Sequence, residues 1–424
     1  MKTSNEALML PKTDIALNVH QLRQILQLSH ALDEVGNPAQ TVHRMARALE
    51  EIIPCMKCYV WLHDPDTQLL WTYADERLHS HKADEILAGR AFLEKQRLHL
   101  SHPPEEALIH PTFDRLHAAE LGHFLAQPIH KADGTVIGIM QLMNSRVHPF
   151  SASVLDVLSE WALLAGARLH NILRLKQWQQ AFATFSETIS RILDTRDYIT
   201  SGHSRRVTLY AMELSRQMNL SPAQKKVLRL AALLHDIGKL GIPELILLQK
   251  RRPNEDEYEI MRRHVNITRQ VLQGVHFPEE IKEVVDIAAM HHEKFDGSGY
   301  PLGKKGDQIP LGARILAVCD TFDALSSRRP YAERQPFAHI VNLMDKETGA
   351  AFEPFIIYHF KNLPLGNLIR ILEHGHEDHI NIGDVRFLNQ FTINDYMQAH
   401  REPDDNNRAL TERFDYYYSR GYRV

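Results

Sequence analysis

Three cysteines in 424 residues (Cys55, Cys58 and Cys319) are too few for a disulfide framework in a chain of this length. Long apolar runs are also missing. The best candidate for a membrane span, Val154 to Leu175, is interrupted by Asp156, Glu160, Arg168 and His170, short of the ~18 uninterrupted apolar residues a span requires. The opening residues, Met1-Lys2-Thr3-Ser4-Asn5-Glu6, carry no apolar core followed by small residues, so no signal peptide is expected. Charge of one sign is lacking too: 49 basic residues face 53 acidic ones, which excludes a whole-molecule field recruiting nucleic acid or anionic lipid. These absences predict a reduced, cytoplasmic protein that uses neither a nucleic-acid polymer nor a membrane.

What is present is an ordinary globular composition, 44% apolar and 24% charged, long enough for two or three domains at about 150 residues each. Histidine is in excess. Fourteen of the 26 histidines precede residue 175, so no single site accounts for them all. Cys55-Met56-Lys57-Cys58 has redox-motif spacing but leads into Tyr59-Val60-Trp61-Leu62, a strand start, whereas a reactive pair needs a helix N-terminus. A structural zinc would want a second pair, so the two cysteines are read as structural.

The first 150 residues alternate between helical spacing (Leu22 to Leu32, Thr41 to Ile53) and short β-type runs (Cys58 to Leu62, Leu69 to Tyr73, Phe124 to Ile129, Val136 to Met143). Asp133-Gly134 between the last two predicts a two-residue hairpin. The pattern is that of an α+β domain on an antiparallel sheet. It resembles a GAF domain, a sensory module. The resemblance rests on the opening helices, His110-Pro111-Thr112-Phe113-Asp114, Leu125-Ala126-Gln127-Pro128-Ile129, Val136-Ile137-Gly138-Ile139-Met140-Gln141-Leu142, and Phe150 with the helix after it. The cyclic-nucleotide signature of some members is missing: Asn144 is followed by Ser145, and Ser153-Val154 replaces the acidic pair. A small-molecule sensor and a ligand-free dimerisation module both stay open.

From Leu155 to Ile192, apolar residues recur at three- and four-residue steps with one phase slip near Ile172 to Trp178. This predicts a long helix acting as a parallel dimer stalk, the alternative being a helix packed back on its own chain. Beyond Asp197 the sequence is helical and rich in metal-ligand types: His203, the His235-Asp236 doublet in an apolar helix, His264, His291-His292 and Asp320. A buried Asp beside Leu234 and Ile237 needs a partner. Five histidines with two carboxylates suit Fe, Mn, Ni or Zn better than Ca or Mg.

His291-His292-Glu293-Lys294-Phe295-Asp296-Gly297-Ser298-Gly299-Tyr300-Pro301, with the His235-Asp236 doublet upstream, resembles the HD-GYP branch of the HD phosphohydrolases from about Asp197 to Phe360. Ile309-Pro310, Ala313-Arg314 and Arg329-Pro330-Tyr331 follow in family order. The resemblance implies a phosphodiesterase cleaving cyclic di-GMP to linear pGpG, with GMP as a further product, by a metal-bridged hydroxide. It implies two divalent ions, Fe or Mn with Ni or Zn as alternatives. One would be held by His203, His235, Asp236 and Asp320. The other would be held by His264, His291 and His292, with Asp236 bridging. Lys239 would offset phosphoryl charge, Gly297 and Gly299 would let the loop approach closely, Tyr300 would stack on guanine, and Arg329 would grip phosphate or a base edge.

Three departures from that pattern stand out. Ile199 replaces a glutamate that recruits a third metal, so two metals are expected. Ala332-Glu333-Arg334 follows where a basic residue often helps hold substrate. Arg251-Arg252-Pro253-Asn254-Glu255 replaces the usual Pro-Gly loop. His374-Gly375-His376-Glu377-Asp378-His379 reads as a polar turn, and Tyr416-Tyr417-Tyr418 as a packing surface on the domain or a partner.

The expected organisation is a multi-domain α+β and all-α chain: a GAF-like sensory domain (1–150), a connecting signalling and dimerisation helix (151–196), an all-α HD-GYP domain (197–362) and a C-terminal extension (363–424). The expected function is a homodimeric cyclic di-GMP phosphodiesterase regulated by its GAF-like domain. Two alternatives are another cyclic dinucleotide such as cyclic GMP-AMP as substrate, and a non-catalytic receptor that signals by contact, with a diguanylate cyclase as partner.

Overall fold

The computed structural model describes residues 23, 25–27, 29, 37–53, 55–103, 107, 110–116, 121–145, 150–196, 202–249, 251, 253–327, 334–374, 379–402 and 405–420. Ile199, Arg252, 328–333 (with Arg329) and 375–378 lie outside them, and of the expected helix Leu22 to Leu32 only 23, 25–27 and 29 are described, all helical. The chain divides into two compact units, Met1–Gln180 and Ala181–Val424.

The first unit is built on a six-stranded antiparallel sheet. Its strands are β1 (Lys57–Asp64), β2 (Leu69–Ala74), β3 (Arg77–His81), β4 (Leu98–Ser101), β5 (Leu121–His130) and β6 (Val136–Ser145), in the order β3-β2-β1-β6-β5-β4. Alternation along β1 explains why both faces are covered. Cys58, Val60 and Leu62 share a core with Val42, Met45 and Leu49 of α1 (Pro38–Ile52). Tyr59 and Trp61 point the other way and pack with Leu87, Ala88 and Ala91 of α2 (Leu87–Glu94) and with Phe113. On that second face Trp61 Nε1 donates to Gln141 Oε1 at 2.8 Å, so the buried indole is satisfied. Asp114, also buried, accepts from the backbone N–H groups of Leu87 and His110 at 3.0 and 2.7 Å.

Sequence reading placed the four central strands and missed β3 and β4. Both are short edge strands: β3 carries a single apolar residue, Leu78, and β4 alternates through Leu98 and Leu100 over only four residues, too few to stand out. The Asp133-Gly134 hairpin is longer than expected: five residues, 131–135, separate the strands. Its turn is closed by Gly134 N–H to the Lys131 carbonyl at 3.0 Å, with Gly134 at φ +82°. The glycine takes the left-handed position that follows the turn, a role its lack of a β-carbon permits.

Helix α3 (Ala152–Arg196) is 45 residues long, slightly longer than the sequence periodicity suggests. Its first turns supply Val157, Leu158, Trp161, Ala162, Ala165 and Leu169 to the core of the first unit, and Leu193 near its end belongs to the core of the second. Between these, Leu175, Trp178 and Phe185 are exposed, Trp178 by 67%.

The second unit is helical: α4 (His203–Gln217), α5 (Pro222–Leu234), α6 (Glu244–Leu247), α7 (Glu255–Gln273), α8 (Val284–Ala289), α9 (Leu311–Ser326), α10 (Phe337–Lys346), α11 (Pro354–Lys361), α12 (Leu365–Leu372), α13 (Ile382–Leu388), α14 (Ile393–Arg401) and α15 (Asp405–Arg420). Reciprocal capping boxes start α5 (Ser221 with Gln224) and α7 (Asn254 with Glu257). No break in packing falls at residue 362 among the described residues. Leu365, Ile369, Leu388, Tyr396 and Phe414 join the same core as Phe322 and Phe337, and Tyr417 and Tyr418 are buried in it.

Candidate metal centre

Five segments converge on one point. His203 opens α4, directly after Gly202 at φ +73°. His235 caps the C-terminus of α5, and Asp236 leads into a 3₁₀ segment, Ile237–Gly241. The doublet and Lys239 therefore stand at a helix end and in the turn after it, whereas the sequence placed the doublet within an apolar helix. His264 lies within α7, His291-His292 follow α8, and Asp320 lies within α9. Glycine explains how two of these segments meet. A β-carbon on Gly238 would overlap the His264 carbonyl oxygen and lie 2.6 Å from Thr268 N, so only glycine lets the turn sit against α7. Thr268 completes the join: its hydroxyl donates to the His235 carbonyl at 3.0 Å and accepts from Gly238 N–H at 3.0 Å.

All seven residues singled out as ligand types are brought together. Ligand atoms lie within 4.8 Å of one another in three groups: His203 with His235 and Asp320; His264 with His291 and His292; His235 with Asp236 and His291. Nδ1 of His235, His264 and His291 each contacts the carbonyl three residues back (Ala232, Met261 and Ala288) at 2.7, 2.8 and 2.7 Å. Because a carbonyl can only accept, each Nδ1 carries the proton and each Nε2 presents a lone pair. None of these three buried Nε2 atoms makes a hydrogen bond. An orphaned buried acceptor is costly in a folded protein, and three converging ones fit a metal far better than a dry core.

Electrostatics point the same way. Burial and neighbouring histidines hold His291 well below the usual imidazole range, and burial does the same for His264. Burial pulls His292 down to about 4. These imidazoles are therefore neutral, the ligating form. Burial opposes charge on Asp236 and Asp320, yet Lys239 holds Asp236 well below the carboxylate range, and hydrogen bonding and charge from His203 do the same for Asp320. Lys239 Nζ stands 2.7 Å from Asp236 Oδ2.

The sequence reading missed the supporting residues. Asp323 Oδ2 contacts His203 Nδ1 at 2.8 Å, while Arg206 grips the same carboxylate through Nε and Nη2 at 2.7 and 2.9 Å. Burial lowers the His203 pKa, but Asp320 and Asp323 raise it to about 9 overall. Glu293, buried, accepts from Leu302 N–H and Lys304 N–H at 2.6 and 3.0 Å and so shapes the loop after the His pair. Within that loop Gly297 takes φ +89°, and a β-carbon on Gly299 would overlap the backbone of Glu293 and Lys294. Asp296 accepts from Ser298 N–H at 2.8 Å, a local turn contact. Tyr300 lies 4.9 Å from the His292 ring, centroid to centroid, and carries the Arg262 guanidinium 4.6 Å from its own centroid. Arg329, the expected substrate grip, lies outside the described residues.

Residues 187–356 match the family model described as an HD domain, and residues 37–170 match that of a GAF domain. The chain carries a GAF domain followed by an HD domain. Over 164 residues it is 40% identical to a 3'3'-cGAMP-specific phosphodiesterase 3 of Vibrio cholerae, covering 39% of this chain and 35% of that protein. Over 171 residues it is 40% identical to the cyclic di-GMP phosphodiesterase response regulator RpfG of Xanthomonas campestris, covering 40% and 45%. Over 177 residues it is 36% identical to a cyclic di-GMP phosphodiesterase of Thermotoga maritima, covering 42% and 48%. The chain thus spans half or less of the length of these curated relatives. No helix among the described residues is long and apolar enough to cross a membrane.

Proposed function

We propose that the HD domain is a two-metal phosphodiesterase that opens cyclic di-GMP to linear pGpG and, where cleavage continues, to GMP. The observation that carries this reading is the convergence of three unsatisfied histidine Nε2 atoms on Asp236 and Asp320. His203, His235, Asp236 and Asp320 would hold one ion, and His264, His291 and His292 the other, with Asp236 between them. Iron or manganese suits this nitrogen-rich set, and nickel or zinc also fits. When bound, such ions supply a water ionised near neutral pH and a clamp on phosphate oxygens.

The chain's own residues then have distinct tasks. The Nδ1 contacts to Ala232, Met261 and Ala288 fix each ring, so no reorientation is needed when the donors are used. Lys239 holds a positive charge beside Asp236, where charge develops on the phosphoryl oxygens. Tyr300 keeps its phenolic proton, since burial pushes its pKa far above the usual range, and so remains a donor. Gly299 lets the loop carrying it lie close to Glu293 and Lys294, and Gly297 supplies its left-handed turn.

A second substrate is favoured by one specific observation: the Vibrio relative named for 3'3'-cGAMP matches this chain at the same 40% identity as the relative named for cyclic di-GMP. The reading also includes a homodimer through the exposed stripe of α3, regulation by the GAF domain, and a cytoplasmic location consistent with three free cysteines. The test is chromatography of cyclic di-GMP and 3'3'-cGAMP incubated with iron- or manganese-loaded protein, with His235→Ala/Asp236→Ala as blank. Linear product from the wild type alone supports the reading, and the ratio of the two rates assigns the substrate. Two intact substrates in the presence of loaded protein overturn it.

A further inference from the structure

A cyclic dinucleotide carries two phosphates, and a metal pair engages only the one being cut. The second needs a counter-charge at the rim of the site. Arg262 is placed to supply it. It lies on α7 two residues before His264, and its guanidinium sits over two tyrosine rings, 4.9 Å from the Tyr258 centroid and 4.6 Å from that of Tyr300. Tyr300 in turn packs on His292, so a single ring separates this charge from the donor cluster.

Three further features mark the guanidinium as available. Its Nε is buried without a hydrogen-bond partner. Its ion pair is made through Nη1 to Glu259 at 2.8 Å, and both side chains are open to solvent, 38% and 64% exposed. Such exposed pairs contribute little, so phosphate can displace the carboxylate at small cost. The two tyrosine rings flank the guanidinium, Tyr258 also as a hydrogen-bond partner, and its fork of N–H donors matches two phosphate oxygens.

We propose that Arg262 binds the non-scissile phosphate of the substrate, in competition with Glu259. The inference rests on the cyclic-dinucleotide reading of the site. It is tested on metal-loaded full-length protein with cyclic di-GMP and 3'3'-cGAMP, and with bis(p-nitrophenyl) phosphate, which has one phosphate. For Arg262→Ala the KM for the dinucleotide turned over should rise about tenfold or more, while kcat falls no more than about threefold. The Kd of a phosphorothioate analogue of that dinucleotide, read by calorimetry, should weaken in parallel. The ratio of kcat/KM for the dinucleotide to that for bis(p-nitrophenyl) phosphate should fall by a similar factor. Glu259→Gln frees the arginine and should lower KM, by up to about fivefold.

An unchanged KM in Arg262→Ala overturns the proposal, as does a raised KM in Glu259→Gln. So does an equal loss on the one-phosphate diester, which would mark Arg262 as a prop for the loop. Wild-type protein that cleaves bis(p-nitrophenyl) phosphate but neither dinucleotide overturns the functional reading and this inference with it. Wild-type dinucleotide turnover with an unaffected Arg262→Ala overturns this inference alone.

Discussion

Gly238 and the carbonyl oxygen of His264 are in direct backbone contact, across a gap too small for a single β-carbon. The turn that carries Asp236 and Lys239 is thereby fixed against the helix that carries His264, and two of the three donor groups are registered to each other through this one point. Gly238→Ala is expected to force the two segments apart. Overpacking of this kind costs about 1–3 kcal/mol, read as a lowered midpoint in urea. Metal uptake by the folded variant, measured by plasma mass spectrometry, should fall further than stability alone would explain.

Asp323 holds His203 from behind through Nδ1 and is itself held by Arg206. Asp323→Asn keeps the shape but removes the charge that orients the ring. Metal affinity, measured by competition with a chelator, should drop about tenfold to a hundredfold, in line with other residues that buttress ligands. Unchanged affinity would mean that His203 is oriented without Asp323.

The cysteines behave as structural residues. Burial, with a smaller effect from the Glu50 charge, pushes the Cys55 thiol up to about 12, and burial raises Cys58 and Cys319 well above the usual thiol range. Alkylation of the native protein by iodoacetamide between pH 7 and 9 should show no fast phase. The linkage has a definite sign. A thiol whose pKa rises from 9.0 unfolded to about 12 folded stabilises the protein fully below pH 9, and that contribution is lost as pH climbs toward 12. A thiol titrating near pH 7 would contradict the structural assignment.

Helix α3 exposes Trp178 and Phe185 seven residues apart, the spacing of a coiled-coil seam. Trp178→Glu with Phe185→Glu should convert a dimer to a monomer in light scattering while leaving the far-ultraviolet spectrum intact. A wild-type mass equal to the single chain's 48.8 kDa would remove the stalk reading.

The parts of this molecule that could be read from the sequence are those where residue type and chemistry coincide. The seven donors are histidines and aspartates in apolar helical surroundings, and the central strands β1 and β5 read as near-continuous apolar runs because both their faces are buried. Edge strands β3 and β4 escaped because they are short and carry only Leu78 and the pair Leu98 and Leu100 as apolar residues. Asp323, Thr268, Glu293 and Arg262 escaped for a different reason. Their roles depend on partners brought near by folding, as with Asp323 and His203, 120 residues apart, and no local pattern distinguishes such an aspartate from a surface one. The core continued past residue 362 for the same reason, because helical amphipathicity marks a buried face without naming what covers it.

The central claim is that His203, His235, Asp236, His264, His291, His292 and Asp320 form a two-metal site. Native mass spectrometry of protein reloaded with manganese or ferrous iron counts the ions directly. The account predicts two ions per chain in the wild type and loss of both in His235→Ala/Asp236→Ala, with the variant still folded by circular dichroism. A folded wild type that takes up no ion, or a double variant that keeps both, would contradict it.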